Sequence, residues 1–174
     1  MKRLVSALAV ALALAVLASS GAFAGSATKA GHGHDGGHGF ARFPERFEAA
    51  NTAFVNGDPV PWLAITAEKD PQSIFGGFGG LGEVGAATVR QRYLLAAGAF
   101  RPSSAEVDFE YRVKDVRGKL AYTVAIERAD VLYAGQTELE EQVLRSTMIF
   151  RFERGAWKIV HRHADTMVDL QLPG

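Results

Sequence analysis

Trp157-Lys158-Ile159-Val160-His161-Arg162-His163-Ala164-Asp165 closes the last patterned stretch of the chain, and its reading decides the fold. Side chains of a β-strand alternate between faces. Regular alternation here groups Trp157, Ile159, His161, His163 and Asp165, and sends Lys158 and Arg162 to the other side. Imidazoles and a carboxylate beside Trp and Ile suit a ligand pocket better than a plain core, because buried polar groups need partners and such clusters tune protonation states. Just upstream, Arg154-Gly155 fits a two-residue hairpin turn. The expected cross-strand pairs are Phe152 with Trp157, Phe150 with Ile159, Met148 with His161 and Ser146 with His163. That register collects aromatic side chains at the closed end of the hairpin and polar ones at the other.

The same period of two runs back through the preceding segments. A strand over 140–153 puts Leu144, Met148, Phe150 and Phe152 on one side and Arg145, Thr147, Ile149 and Arg151 on the other. Val107, Phe109, Tyr111 and Val113 alternate with charged residues in a half-buried antiparallel strand, which Gly118 reverses. The return strand is expected to place Leu120, Tyr122, Val124 and Ile126 on its apolar face. Before residue 100 the period is helical. Phe43, Phe47, Ala50 and Phe54, with Pro44 in the first turn and Gly57 as a stop, predict one amphipathic helix. Asp58 caps a short second helix carrying Trp62 and Ile65, a brief strand follows at residues 73–75, and Val89, Tyr93, Ala96 and Phe100 mark a third helix. Helices first and a meander of long strands afterwards read as α+β, three N-terminal helices packed on one face of a curved, mainly antiparallel sheet.

Between the brief strand and the third helix, Gly77-Phe78-Gly79-Gly80-Leu81-Gly82 matches the dinucleotide-binding pattern G-x-G-x-x-G literally. That pattern works only in a βαβ unit with parallel strands. Antiparallel hairpins follow here, so the stretch reads as a tight turn with Phe75, Phe78 and Leu81 as candidate inward anchors.

The chain of 174 residues carries equal numbers of basic and acidic side chains, five His and no Cys. Lys2 and Arg3 precede an apolar run, and Ala22-Phe23-Ala24 ends it. Residues 1–24 therefore read as a cleaved secretory signal peptide, which places the mature protein in the periplasm or outside the cell. No membrane span is expected after cleavage. Residues 25–42 read as a Gly/His-rich flexible linker. Its His32, His34 and His38 have no carboxylate or thiolate framework around them, so a solvated tether is favoured over a metal site. A balanced charge lacks the clustered basic excess of a nucleic-acid-binding surface. About 150 residues then remain, the size of one domain.

The helix-first layout, Ile74-Phe75-Gly76-Gly77-Phe78-Gly79-Gly80, Leu120-Ala121-Tyr122-Thr123, Arg145-Ser146-Thr147 and the closing Trp157 to Asp165 stretch resemble the SnoaL-like, nuclear transport factor 2-like (ketosteroid isomerase-like) superfamily over residues 43–170. The resemblance implies a cone-shaped barrel with an apolar cavity at its wide end and dimers formed through the sheet. It spans isomerases, cyclases, hydrolases, dehydratases and non-catalytic association modules, so fold does not select among them. The kinase association domain of this superfamily has an Arg where Met148 stands, so its anionic-ligand pocket does not carry over.

Within that frame His163 is the candidate general base, oriented by Asp165 or Ser146, with Tyr122 or Tyr111 donating to a carbonyl or oxyanion. His161, His163, Tyr111, Phe109, Phe150, Trp62 and Phe75 are the expected ligand-binding set. No third group joins His161, His163 and Asp165 around an ion, so neither metal nor cofactor is expected. The function expected is binding of a small apolar or carbonyl-bearing molecule, with isomerase, cyclase or hydrolase chemistry open. The alternative is a non-catalytic homodimerising module that works through the outer sheet face.

Overall fold

The computed structural model describes residues 39–167. The expected signal peptide, nearly all of the linker with His32, His34 and His38, and the C-terminal residues 168–174 lie outside them.

The described residues begin slightly ahead of the expected domain start at Phe43. Phe40–Arg42 form a 3₁₀ turn, and Phe40 is buried against Phe43, Phe150 and Trp157, the Trp157 ring centroid lying 4.9 Å away. Helix α1 (Phe43–Val55) and the short α2 (Val60–Ile65) follow as their apolar spacing predicts. The Asp58 carboxylate accepts the Val60 N–H at 2.9 Å. Strand β1 (Ser73–Phe75), the short β2 (Glu83–Val84) and α3 (Ala86–Gly98) come next. The remainder is sheet: β3 (Phe100–Arg101), β4 (Asp108–Arg117), β5 (Leu120–Tyr133), β6 (Glu140–Glu153) and β7 (Ala156–Thr166). Among the described residues no helix is long and apolar enough to cross a membrane.

The strands form one seven-stranded sheet in the order β2-β1-β7-β6-β5-β3, with β4 also paired to β5. All pairings are antiparallel except β1, which runs parallel to β7. The sheet curls around the helices, and the core lies on its concave side. At the closed end Phe43, Phe47 and Phe150 meet at centroid separations of 5.2–6.5 Å. Trp62 joins Phe47, Phe54 and Tyr93 at 5.4–5.7 Å nearer the wide end. Edge-on and tilted ring contacts of this kind add to the gain from burial alone.

Two departures from simple alternation reset which side chains face inward. In β5 the buried positions are Ala121, Thr123, Ala125, Glu127, Ala129 and Val131, while Leu120 and Tyr122 are 52% and 40% exposed on the convex side. The expected apolar face of this strand is therefore the outer one. A concave surface filled by aromatic side chains from the helices favours small residues at Ala121, Ala125 and Ala129, so volume overrides hydrophobicity in choosing the face.

In β7 the hairpin register holds for Phe152 with Trp157 and Phe150 with Ile159, around a turn in which Arg154 and Gly155 both have positive φ. Then Val160 is inserted as a β-bulge, and the pairs become Ile149 with His161, Met148 with Arg162, Thr147 with His163 and Ser146 with Ala164. One extra residue inverts every later side chain. Arg162 and Ala164 thereby face the core, and His161, His163 and Asp165 face out. The bulge sits where the chain leaving α2 joins β7, with the Ala67 N–H donating to the Ile159 carbonyl at 2.9 Å and Thr66 bridging Ile159.

The glycine-rich turn also differs from expectation. Leu81 is 99% exposed and anchors nothing inward, and Phe75 lies half outside, although Phe78 keeps ring contacts with Phe100 and Tyr133. Its preceding strand pairs antiparallel with the following one, so the βαβ context of a dinucleotide site is missing.

Candidate functional site

Glu127 and Arg162 meet inside the wide end of the cone. Each is placed there by strand geometry: Glu127 by the inverted face of β5, Arg162 by the Val160 bulge in β7. The guanidinium grips the carboxylate with two hydrogen bonds, Nη1 to Oε1 at 2.7 Å and Nη2 to Oε2 at 2.8 Å. Asn51 of α1 adds a third, donating from Nδ2 to Oε2 at 3.1 Å. Arg162 Nη1 lies 3.5 Å from the Met148 sulfur, and its Cζ is 5.6 Å from the Trp62 ring centre, within reach of a cation–π attraction.

Burial alone pushes the Glu127 carboxyl up. The charge of Arg162 and hydrogen bonds from Arg162, Ser146 and Asn51 outweigh that and hold it below the usual carboxylate range. Arg162 is pulled down by its own burial and raised overall by the Glu127 charge. Each charge thus favours the ionised form of the other. Tyr93 of α3 stands nearby with its hydroxyl pushed up to about 12 by burial, so it stays a neutral O–H.

These residues line a cavity with about 50 Å³ of free volume, room for a few water molecules. Its walls are largely apolar, from Phe54, Val55, Ile74, Phe100 and Leu144. The polar groups facing it are mostly donors. The Trp62 indole N–H is buried without a hydrogen-bond partner of normal geometry. Arg162 commits its two terminal nitrogens to Glu127, and its Nε–H meets no protein acceptor among the described residues.

Of the residues expected from sequence to line a pocket, only Trp62 borders this cavity. His163 is exposed on the convex face opposite Thr147, and Asp165 holds Arg145 there through bonds of 2.8 and 3.2 Å. His161 shares a 2.8 Å hydrogen bond between its Nδ1 and the Ser73 hydroxyl, and Phe75 lays its ring edge-on to both imidazoles, at 6.1 and 5.5 Å. Burial and the neighbouring His163 lower the affinity of His161 for a proton, despite the Ser73 contact. Tyr122 is on the outer face. Tyr111 turns its hydroxyl to Glu48 of α1 at 2.8 Å and carries the Lys114 ammonium over its ring; burial, then Glu48, raises its pKa. Phe109 stacks on Tyr111 and meets Phe47 at a tilt, and Phe150 is sealed in the closed end. The structure therefore separates His163, Asp165 and Tyr122 from the cavity instead of converging them on it. Ser146, the alternative partner for His163, faces inward toward Glu127.

Reasoning from sequence missed Glu127, Arg162, Asn51 and Tyr93 as a group. The available signal was Glu127 standing in the small-residue register Ala121, Ala125, Ala129 of β5.

The sequence profile of the SnoaL-like domain matches residues 89–169. No curated protein matches the chain significantly. Among solved structures, the fold is similar to a nuclear transport factor 2-like superfamily protein from Salmonella enterica serovar Typhimurium, with 14% identity, TM-score 0.63, and coverage of 76% of this chain and 93% of that one. A candidate dehydratase of the NTF2-like family from Streptomyces avermitilis aligns with 18% identity and TM-score 0.59, over 74% and 96% of the two chains. An uncharacterised protein with a cystatin-like fold from Caulobacter vibrioides gives 14%, 0.57, 76% and 92%.

Proposed function

We propose that the chain, whose residues 89–169 match the SnoaL-like domain profile and whose fold is similar to that of nuclear transport factor 2-like proteins, binds a small, largely apolar molecule bearing a carbonyl oxygen in the cavity above Glu127 and Arg162. The observation that carries this reading is the imbalance of polar groups there. Glu127 is saturated by Arg162 and Asn51, whereas the Tyr93 O–H and the Arg162 Nε–H meet no acceptor among the described residues, and the Trp62 N–H has only the Tyr93 oxygen beside it, short of normal hydrogen-bond geometry. Buried donors favour a ligand that brings an acceptor, and apolar walls favour a ligand whose body is hydrocarbon.

The same charge balance argues for binding rather than for proton abstraction. A carboxylate held below its usual range by a guanidinium is a weak general base. Ligand-observed NMR with a panel of cyclic ketones and aldehydes tests the proposal. Members of the panel bind the wild-type protein, and Ala129→Phe, which fills the cavity from β5, removes that binding. Equal binding by the filled variant contradicts the assignment.

A second reading concerns the convex face, where Leu120, Tyr122 and Ile149 leave large apolar side chains exposed in adjacent strands. An apolar surface of that kind suits a second copy of the chain. Homodimerisation and ligand binding use opposite faces of the sheet and are compatible. Export to the periplasm or beyond, proposed from residues 1–24, is tested by the mature N-terminus of the protein recovered from each compartment.

A further inference from the structure

The cavity has the lining of a ligand site but little of its volume. Ligand sites usually span a few hundred Å³, against about 50 Å³ here. One side of it is lined by a glycine-rich segment through Gly76, Gly77 and Phe78. Between β1 and α3 the backbone runs through Gly76, Gly77, Gly79, Gly80 and Gly82, of which Gly79, Gly80 and Gly82 have φ of 75°, 90° and 85°. Residues with positive φ can swing where an L side chain would resist.

Both ends of this segment are fixed. Before it, β1 is laddered to β7. After it, Gly85 N–H donates to the Gln72 carbonyl at 2.9 Å and Ala86 N–H to the Asp70 carboxylate at 2.7 Å. Between those anchors little holds it down. Gly79 N–H donates to the Gly76 carbonyl within the loop at 3.0 Å, and Arg92 of α3 donates from Nη2 to the Gly79 carbonyl at 2.5 Å. Phe78 adds ring contacts, 5.6 Å from Phe100 and 6.2 Å from Tyr133, while half of it faces solvent. Gly77 lies so near the Leu144 side chain that a Cβ there would come within 3.2 Å of it, so the loop backbone rests directly on the cavity wall.

The geometry points to residues 76–82 as a gate over the cavity, with Phe78 as its plug and Arg92 as its latch. The structure is the closed state. Opening pivots on the positive-φ glycines, releases the Arg92 bond and lifts Phe78 from Phe100 and Tyr133, which enlarges the cavity to the size a ligand needs. The role of the gate rests on the binding reading above, but its motion can be measured without any ligand.

The chain has no cysteine, so a single introduced thiol reports access to the cavity. Ala129→Cys, at a position that lines it, is labelled with methyl methanethiosulfonate beside Leu95→Cys on the open face of α3 as the exposed control. The gate predicts that the thiol at position 129 reacts at least about tenfold more slowly than the one at position 95. Adding Arg92→Met, which removes one charge-assisted contact, or Phe78→Ala, which removes the ring contacts with Phe100 and Tyr133, speeds labelling at position 129 about tenfold without changing the rate at position 95. Urea midpoints of the variants distinguish local opening from unfolding. Equal labelling rates at the two positions, no response to either added substitution, or acceleration that merely follows lowered global stability overturns the gate. None of those outcomes bears on the ketone titration, which tests the pocket separately.

Discussion

At the scale of single residues, the Glu127–Arg162 pair is the most consequential feature of the interior. Removing one partner of a buried ion pair strands the other charge, whereas replacing both with apolar groups of similar volume relieves both desolvation penalties. Glu127→Gln is expected to lower unfolding stability by about 3–5 kcal/mol in urea titrations, and the double variant Glu127→Leu/Arg162→Met by much less. His161 makes a separate prediction. Its lowered pKa means that the unfolded chain binds the proton more readily, so its contribution to stability is fully present above the ordinary value of 6.5 and is lost as pH falls through the folded value. The urea midpoint of the wild type should fall between pH 7 and about pH 5 more steeply than that of His161→Gln. Equal slopes would show that His161 is solvated as in the unfolded chain. These residue roles were only partly legible. An Arg in alternation with His looks like the solvent side of a strand, and nothing in Val160-His161 announces that the alternation is about to invert.

At the scale of elements, what the sequence disclosed followed from periodicity and turn chemistry. The spacing of Phe43, Phe47 and Phe54 located α1, Asp58 with Trp62 and Ile65 located α2, and Arg154-Gly155 set the hairpin turn with its first two cross-strand pairs. The parts that went unread depend on contacts between distant segments. The Val160 bulge arises where β1 and the chain after α2 join the edge of β7, and the inner face of β5 is chosen by the helical aromatics that pack on it. The glycine turn shows a local rule and a tertiary one acting together. A Cβ at Gly82 would lie 2.5 Å from the Phe75 ring and 2.8 Å from the Ile74 carbonyl, at a φ of 85°. Gly82→Ala is therefore expected to cost about 1–3 kcal/mol and to raise amide exchange in β1 and β2 ahead of β5 and β6. A neutral effect would mean that the turn relaxes freely.

At the scale of the molecule, the sheet separates two surfaces with different chemistry. Its concave side holds the charged pair and the cavity, and its convex side holds the imidazoles beside Tyr122, Leu120 and Ile149. If the convex side is a dimer interface, Tyr122→Glu with Ile149→Lys should yield a monomer in sedimentation at micromolar concentration while ketone binding persists; a wild-type monomer would contradict the interface. The Val160 bulge turns Arg162, and not the imidazoles, toward the proposed ligand cavity. Titration of a ketone that binds the wild type, by ligand-observed NMR, into Glu127→Leu/Arg162→Met and into His161→Ala/His163→Ala tests this assignment most directly. Binding is expected to be lost in the first variant and unchanged in the second; loss of binding in the histidine variant with retention in the ion-pair variant would instead assign the ligand to the imidazole face.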